Sequence, residues 1–436
     1  MYTIVCEKCG KNYGSNMNSI YNCATCSSAL TIIYDYDTFR KKFTKNKFKK
    51  CLPGIWKYWE LLPIKSPTIV VSLHEGGTRL HECNHLSSIL RVSRLYVKDE
   101  TGNPTGSYKD RPASVAVSKA VEFGAQILAI ASDGNAGPSV AAYAAKAGLP
   151  CYVFMPTSTP NERLTQVWLY GATLVTIDGS VNECIDLVEK GRQKFGWHHM
   201  STARAVNPYQ REGSKTIAYE VCEQLDWNAP DWVAVPVGGG GLLSAIWQGF
   251  NELKALGLIE RVPRMLGVQA AGCAPLVRAF NTASRPDAIE RWKTPSTIAT
   301  TIAVPFPLDG DLALKAIYDS NGAAVAVADS EILDMTRRLA AYEGICAEPT
   351  GAVSIAGIRS VIAAGIIRPD ETVVCIVTGT GLKSLSLLAS LRAHREEARE
   401  FPSNVWPCPD IAESDRVKLD REVAEWVRSV TVCGSS

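Results

Sequence analysis

From about Ser114 onward, short unbroken apolar runs alternate with segments whose apolar residues recur at helical intervals. The intervals predict helices over SVAVSKAVEFG (114–124), GPSVAAYAAKAG (137–148), NERLTQVWLYG (161–171) and VNECIDLVEKGRQKFG (181–196). Between them QILAIAS, PCYVFMP and ATLVTID read as strands buried on both faces. A second series comes next, with the strand DWVAVPV, a helix through LLSAIWQGFNELKALG, the strand RMLGVQAAG and, much later, ETVVCIVTG. The pattern predicts an α/β protein of two doubly wound lobes with mostly parallel sheets. Its site is expected in the crevice at the carboxyl ends of strands.

Composition changes this picture little. Lys and Arg number 46 against 44 Asp and Glu, a net charge of +2, which gives no electrostatic reason to expect nucleic acid or an anionic membrane as partner. No apolar run has the length of a bilayer span, and MYTIVCEKCGKNYG lacks the basic-then-apolar layout of a secretory signal, so a cytoplasmic protein is expected. The basic run DTFRKKFTKNKFKKC (37–51) reads either as a nucleic-acid patch or as a solvated linker, and near-neutral charge favours the linker.

The fourteen cysteines divide into two sets. Cys6, Cys9, Cys23 and Cys26 form C-x2-C-x13-C-x2-C, the spacing of a structural four-thiolate zinc site, because two residues between thiolates let one tight turn present both sulfurs to a tetrahedral ion. Redox or unmetallated thiols are the alternative. The other ten, from Cys51 to Cys433, are scattered and read as small buried hydrophobes. His81-x3-His85 has helical metal-ligand spacing but no third ligand, so a polar role is expected; Cys346 is expected near the site without being activated.

Lys98 to Arg111, KDETGNPTGSYKDR, sets Lys109 after a turn rich in glycine, proline and serine, ahead of a helix beginning near Pro112. Such a lysine serves phosphate binding, Schiff-base chemistry or solvation; without G-x4-G-K-[ST] it is not a P-loop. Two glycine-bearing turns come after strands, SDGNAG (132–137) and the four glycines Gly238–Gly241, each opening a helix as an anion site does. Taken alone, the second could be a mere turn. Thr378 in VTGTGLKS ends the last strand.

NPTGSYKDR resembles the lysine-bearing signature of the fold type II (tryptophan synthase β-like) pyridoxal-phosphate enzymes. The resemblance covers about residues 50 to 395 and is nearest to the threonine synthase family: GIWKYWELLPI, SLHEGGTRL, NPYQREGSKT, TIATTIAVPFP, EPTGAVSIAGI and TGTGLKS stand in the same order. It implies that Lys109 carries the cofactor and moves protons, and that Asn135 faces the cofactor's phenolic oxygen. Gly238, Gly239, Gly240 and Gly241 would cup its phosphate, and Thr378 would lie beside the pyridine nitrogen. Ser132, Gly134 and Ala136 would receive the substrate carboxylate; Asn207, Arg211 and Lys215 would hold a leaving phosphate. The implied organisation is a zinc-knuckle module (1–35), a large cofactor lobe (36–113 and 206–398), a smaller inserted lobe (114–205) and a C-terminal extension (399–436). The implied activity is that of a lyase of amino-acid metabolism, acting on a small amino acid as a homodimer.

Two departures bear on the substrate. Gln210 replaces the arginine expected after NPY, with Arg211 one residue and about 100° of helix later. Asp133 replaces a hydroxyl residue, as in diaminopropionate ammonia-lyases, where that aspartate is a base. The expectations are therefore O-phosphohomoserine converted to threonine and phosphate, or β-elimination or β-replacement on O-phosphoserine, serine, threonine or a diamino acid with Asp133 as second base or amine partner. A non-catalytic regulator is the third reading, disfavoured by Lys109.

Overall fold

The computed structural model describes residues 2–15, 21–49, 51–282 and 288–396. It divides into two compact units, Met1–Ser386 and Leu387–Ser436, and the strands among the described residues belong to the first. The expected extension 399–436, with Cys408 and Cys433, lies outside the described residues.

Among the described residues twelve strands form three sheets. β1 (Tyr2–Cys6) and β2 (Leu30–Tyr34) make an antiparallel ribbon, with Tyr2 opposite Tyr34 and Cys6 opposite Leu30. β3 (Leu80–Glu82) and β4 (Arg94–Asp99) belong to a six-stranded sheet completed by residues more than 100 positions later. β5 (Leu128–Ala131), β6 (Cys151–Pro156), β7 (Thr173–Ile177) and β8 (His198–His199) form a parallel four-stranded sheet in the order β7-β6-β5-β8. β9 (Trp232–Pro236), β10 (Arg264–Ala270), β11 (Ala323–Val327) and β12 (Thr372–Val377) complete the large sheet, in the order β11-β10-β9-β12-β4-β3. All its pairings are parallel except β3 with β4.

The continuous apolar runs are strands covered on both faces: every residue of β9 and β12 is buried, as the absence of polar alternation requires. Reversal of strand order beside β9 and β12 brings their carboxyl ends together with that of β4. The segments bearing Lys109, Gly238–Gly241 and Thr378 leave from those ends. This is where ligands sit in doubly wound sheets.

Two expectations need correction. The basic run is no free linker: it holds the short helices Tyr36–Arg40 and Lys45–Lys49, and Phe39, Phe43 and Phe48 are buried. Phe43 and Phe48 stack at 5.5 Å, so the lysines are the wet side of an aromatic anchor. Of the scattered cysteines, Cys83, Cys151, Cys184, Cys222, Cys273 and Cys375 are buried, but Cys51 and Cys346 are exposed. His81 pairs with Asp99 at 3.5 Å, while His85 Nδ1 meets the Tyr342 carbonyl at 3.1 Å, so the two do not converge. Among the described residues no helix is long and apolar enough to cross a membrane.

Candidate active site

Lys109 immediately precedes the helix Asp110–Glu122, and the chain around it is pinned on both sides. Tyr108 N–H donates to the Thr378 carbonyl (3.0 Å), and Thr380 N–H donates to the Gly106 carbonyl (2.9 Å). Gly106 is at φ +81, and a Cβ there would stand 2.6 Å from Thr380 Cγ2, so only glycine lets the two turns meet. Behind the lysine, Asp110 accepts from Thr105 N–H (2.7 Å) and Thr105 Oγ1 (2.6 Å). Burial pushes its carboxyl up to about 6, with those hydrogen bonds opposing. Arg111 is fully buried between Glu100 and Glu220, which also binds Lys98. A satisfied ionic network thus fixes the helix start. Lys109 Nζ makes no hydrogen bond or ion pair among the described residues; it stands 4.9 Å from the centre of the Tyr108 ring.

Lys109 lines a cavity of about 800 Å³ together with Ser132–Ala136, Gly238–Gly241 and Thr378. That volume suits a cofactor and a small substrate. Asn135 stands just before the helix Ala136–Ala147 and donates Nδ2–H to Glu348 (2.8 Å), which also pairs with buried Arg163 at 3.2 Å. Asp133 is accessible to solvent and lines the cavity, yet the surrounding walls raise its carboxyl above the usual value, with Arg163 and Lys109 pulling the other way.

The four glycines join β9 to the helix Gly241–Ala255. Gly240 is at φ +92, and its Cβ would meet the Asp309 carbonyl oxygen at 2.5 Å; at Gly239 a Cβ would meet nothing within 4 Å. The first N–H groups of a helix have no partner within it, so this turn offers donors to an anion. Among the described residues, Thr378 Oγ1 and Asn135 Oδ1 are buried without hydrogen-bond partners. Buried polar atoms are rarely left so, and these two face the same cavity as the cradle. A flat, polar-edged, phosphorylated aldehyde fits this donor set.

The candidates for the leaving phosphate separate. Gln210 and Arg211 both line the cavity, even though they are adjacent, because the helix Arg211–Ser214 only begins there. Arg211 Nη2 donates to the Ser244 carbonyl (3.1 Å), and its Nε has no partner among the described residues. Lys215 and Asn207 are not brought to the wall. Lys215 is fully buried between Glu212 (2.6 Å) and Glu252 (3.0 Å), under the Tyr34 ring, and Asn207 bonds the His199 carbonyl and Tyr209 N–H. Glu348, Arg163, Asp309 and the loop Ser201–Ala203 are site features that the sequence pattern did not single out. EPTG marked Glu348 by resemblance only, and Arg163 reaches it across 185 positions.

In the ribbon, the sulfurs of Cys6, Cys9, Cys23 and Cys26 all lie within 4.8 Å of one another. The Tyr13 hydroxyl, 3.1 Å from Cys23 Sγ, lowers that thiol, while the hydrogen bonds among the crowded thiols raise Cys9.

Residues 71–379 match the family model described as pyridoxal-phosphate dependent enzyme. The chain is 43% identical over 393 residues to the threonine synthase of Methanocaldococcus jannaschii, covering 90% of this chain and 95% of that one. It is 40% identical over 384 residues to the threonine synthase of Methanosarcina acetivorans, covering 88% and 92%. Threonine deaminase isoform 2 from Solanum lycopersicum superposes with a TM-score of 0.64 at 22% identity, covering 79% of this chain and 98% of that one. The matched span takes in Lys109, the four glycines and both larger sheets, and the chain belongs to the threonine synthase family of pyridoxal-phosphate-dependent enzymes.

Proposed function

We propose that this enzyme converts O-phosphohomoserine and water into threonine and phosphate. The observation that carries the reading is the unengaged ε-amino group of Lys109 in one cavity with two helix-opening turns, each able to take an anion. Pyridoxal phosphate, when bound, supplies the electron sink for bonds broken at Cα. Gly238–Gly241 would hold its phosphate, Asn135 and Thr378 its polar edge, and Lys109 its aldehyde carbon. Backbone N–H groups of Ser132, Gly134 and Ala136 would take the substrate carboxylate. Lys109 Nζ removes protons from Cα and Cβ and returns protons to Cγ and Cα. The Cγ–O bond breaks with its electrons leaving on phosphate, and water supplies the hydroxyl at Cβ while its other proton balances the released phosphate as hydrogen phosphate. Arg211 receives the departing phosphate; Asn207 and Lys215, engaged elsewhere, are not assigned to it.

Lys109→Ala should abolish phosphate release while leaving a folded chain. Arg211→Ala should raise KM about 10- to 100-fold, the scale of a charge-assisted hydrogen bond. Unchanged KM in that variant would remove Arg211 from the phosphate site.

One observation favours a second reading, β-elimination or β-replacement on O-phosphoserine, serine, threonine or a diamino acid. Asp133 lines the cavity with a carboxyl raised above its usual value, as a second base or amine partner would be. Asp133→Asn should then cut turnover with the cofactor still bound; unchanged turnover would remove it. The proposal further includes a structural zinc on Cys6, Cys9, Cys23 and Cys26, supported by their convergence, a cytoplasmic setting, and a homodimer. Trp168 and Leu169, each 67% exposed, would suit a second copy, to be checked by light scattering.

A further inference from the structure

Each thiolate turn of the ribbon sends a side chain to Arg204 or Ala205, directly after the cavity-lining residues Ser201–Ala203. Glu7, between Cys6 and Cys9, pairs with the guanidinium of Arg204, and its own N–H is held by the Ala29 carbonyl (3.2 Å). Asn22, next to Cys23, donates Nδ2–H to the Ala205 carbonyl (2.6 Å). Tyr21 meets His198 Nδ1 with its hydroxyl at 2.8 Å and lies edge-on to the Tyr209 ring. The wall between these contacts has little regular structure of its own, only the two-residue β8. Ser201, Thr202 and Ala203 line the cavity, and the Thr202 carbonyl holds Gln210 Nε2 at 2.7 Å.

Arg204 carries the contact inward. Buried at 7% exposure, it pairs with Asp309 (3.5 Å) and Asp311 (3.1 Å), and its N–H donates to Asp309 Oδ1 (3.3 Å). Asp309 abuts the glycine cradle: its N–H donates to the Gly239 carbonyl (2.8 Å), and a Cβ on Gly241 would be 2.9 Å from its Oδ2. A carboxylate so near an anion cradle must keep its counter-charge. The ribbon supplies one of the partners that hold that counter-charge in position.

We propose that the four-thiolate ribbon is a clamp, through which a bound zinc ion positions the wall Ser201–Ala205 and Asp309 beside the cradle, so that metal occupancy sets substrate affinity. Glu7, Asn22 and Arg204 are its positioning residues. The β1–β2 hairpin is anchored independently of the metal, since Tyr2, Ile4, Ile32 and Tyr34 are buried and Tyr34 donates to Glu212 (2.9 Å). In the turns carrying Glu7 and Asn22 most residues are exposed, among them Lys8, Cys9, Gly10, Ala24 and Thr25; apart from the half-buried Tyr21 the packing runs through the thiol-bearing Cys6 and Cys23 themselves, and small thiolate sites are ordered by their metal. Metal loss therefore frees the turns and the wall, not the fold. The inference rests on the cavity being the substrate site and on zinc as its metal, so its main readout needs no turnover.

The test is hydrogen exchange over residues 198–205 in the cofactor-loaded full chain, with zinc bound and after chelation, alongside tryptic cleavage after Arg204. Chelation should speed exchange there, expose Arg204 to trypsin and raise KM about tenfold, the scale of one charge-assisted hydrogen bond, with kcat little changed. Added zinc should reverse all three. Asn22→Ala and Glu7→Gln should keep zinc yet copy the exchange and KM changes, and Glu7→Asp, which keeps the charge, should restore much of the loss. If the chelated chain unfolds throughout, these zinc-retaining variants decide. Wild-type exchange over 198–205 in both of them, or a purified chain that binds no zinc, would overturn the proposal. Altered exchange without turnover of O-phosphohomoserine would instead count against the assigned substrate alone.

Discussion

Gly213→Ala probes the join between the two segments that carry the site. The helix Arg211–Ser214, with Gln210 before it, lies on the start of the helix after Lys109, and Gly213 is the contact point. A Cβ there would stand 2.2 Å from the Arg111 carbonyl oxygen, 2.5 Å from its carbon and 2.8 Å from Pro112 N. These are backbone atoms, so no side chain can swing away. Ordinary contact begins near 3.4 Å, so the segments must part by roughly 1 Å, an overpacking that costs about 1–3 kcal/mol. Misplacement of reacting groups by that distance lowers kcat/KM about 100-fold, or ~2.7 kcal/mol of transition-state stabilisation. Urea unfolding and steady-state phosphate release measure the two effects, with the cofactor's visible absorbance as a check on loading. Gly239→Ala is the control, since a Cβ there meets nothing within 4 Å; it should spare the fold and weaken only cofactor binding. A Gly213→Ala enzyme with wild-type unfolding midpoint and kcat/KM would show that the two segments are not coupled through this contact.

Arg111→Met leaves Glu100 buried without its cation and should cost about 3–5 kcal/mol in urea unfolding. Thr378→Val removes a hydroxyl that has no partner among the described residues, so the cofactor-free protein should be no less stable, whereas the loaded enzyme should lose about 0.5–1.5 kcal/mol. Unfolding with and without pyridoxal phosphate separates the two. Burial pushes His199 down to about 4, so it stays neutral in the fold while the unfolded chain protonates near 6.5. Stability should therefore be full above that pH and fall as pH drops toward about 4, by on the order of 3 kcal/mol. His199→Leu should flatten that slope in thermal melts across the same range.

The sheets were legible because their strands are buried on both faces, and a short unbroken run such as TVVCIV suits the interior strand of a parallel sheet. Strand order was not, since placing β12 between β9 and β4 depends on packing across more than 270 residues. Lys109 and the glycines, which line one cavity, stood out as turns ahead of helices, but their roles came from the family resemblance and not from the turns alone. Lys215 shows the limit: its position in the motif carries no information about direction, and Glu212 and Glu252 take its ammonium into the core. The basic run misled for a related reason. Its lysines dominate composition, yet three phenylalanines at intervals of four and five decide where it lies. Contacts across the fold, such as Glu7 with Arg204 or Arg163 with Glu348, leave no trace in spacing.

The proposed reaction is checked most simply by offering the purified, cofactor-loaded enzyme O-phosphohomoserine and measuring phosphate and threonine together. Equimolar release of both is expected, with none from Lys109→Ala. No phosphate from O-phosphohomoserine, with O-phosphoserine or diaminopropionate consumed instead, would contradict it.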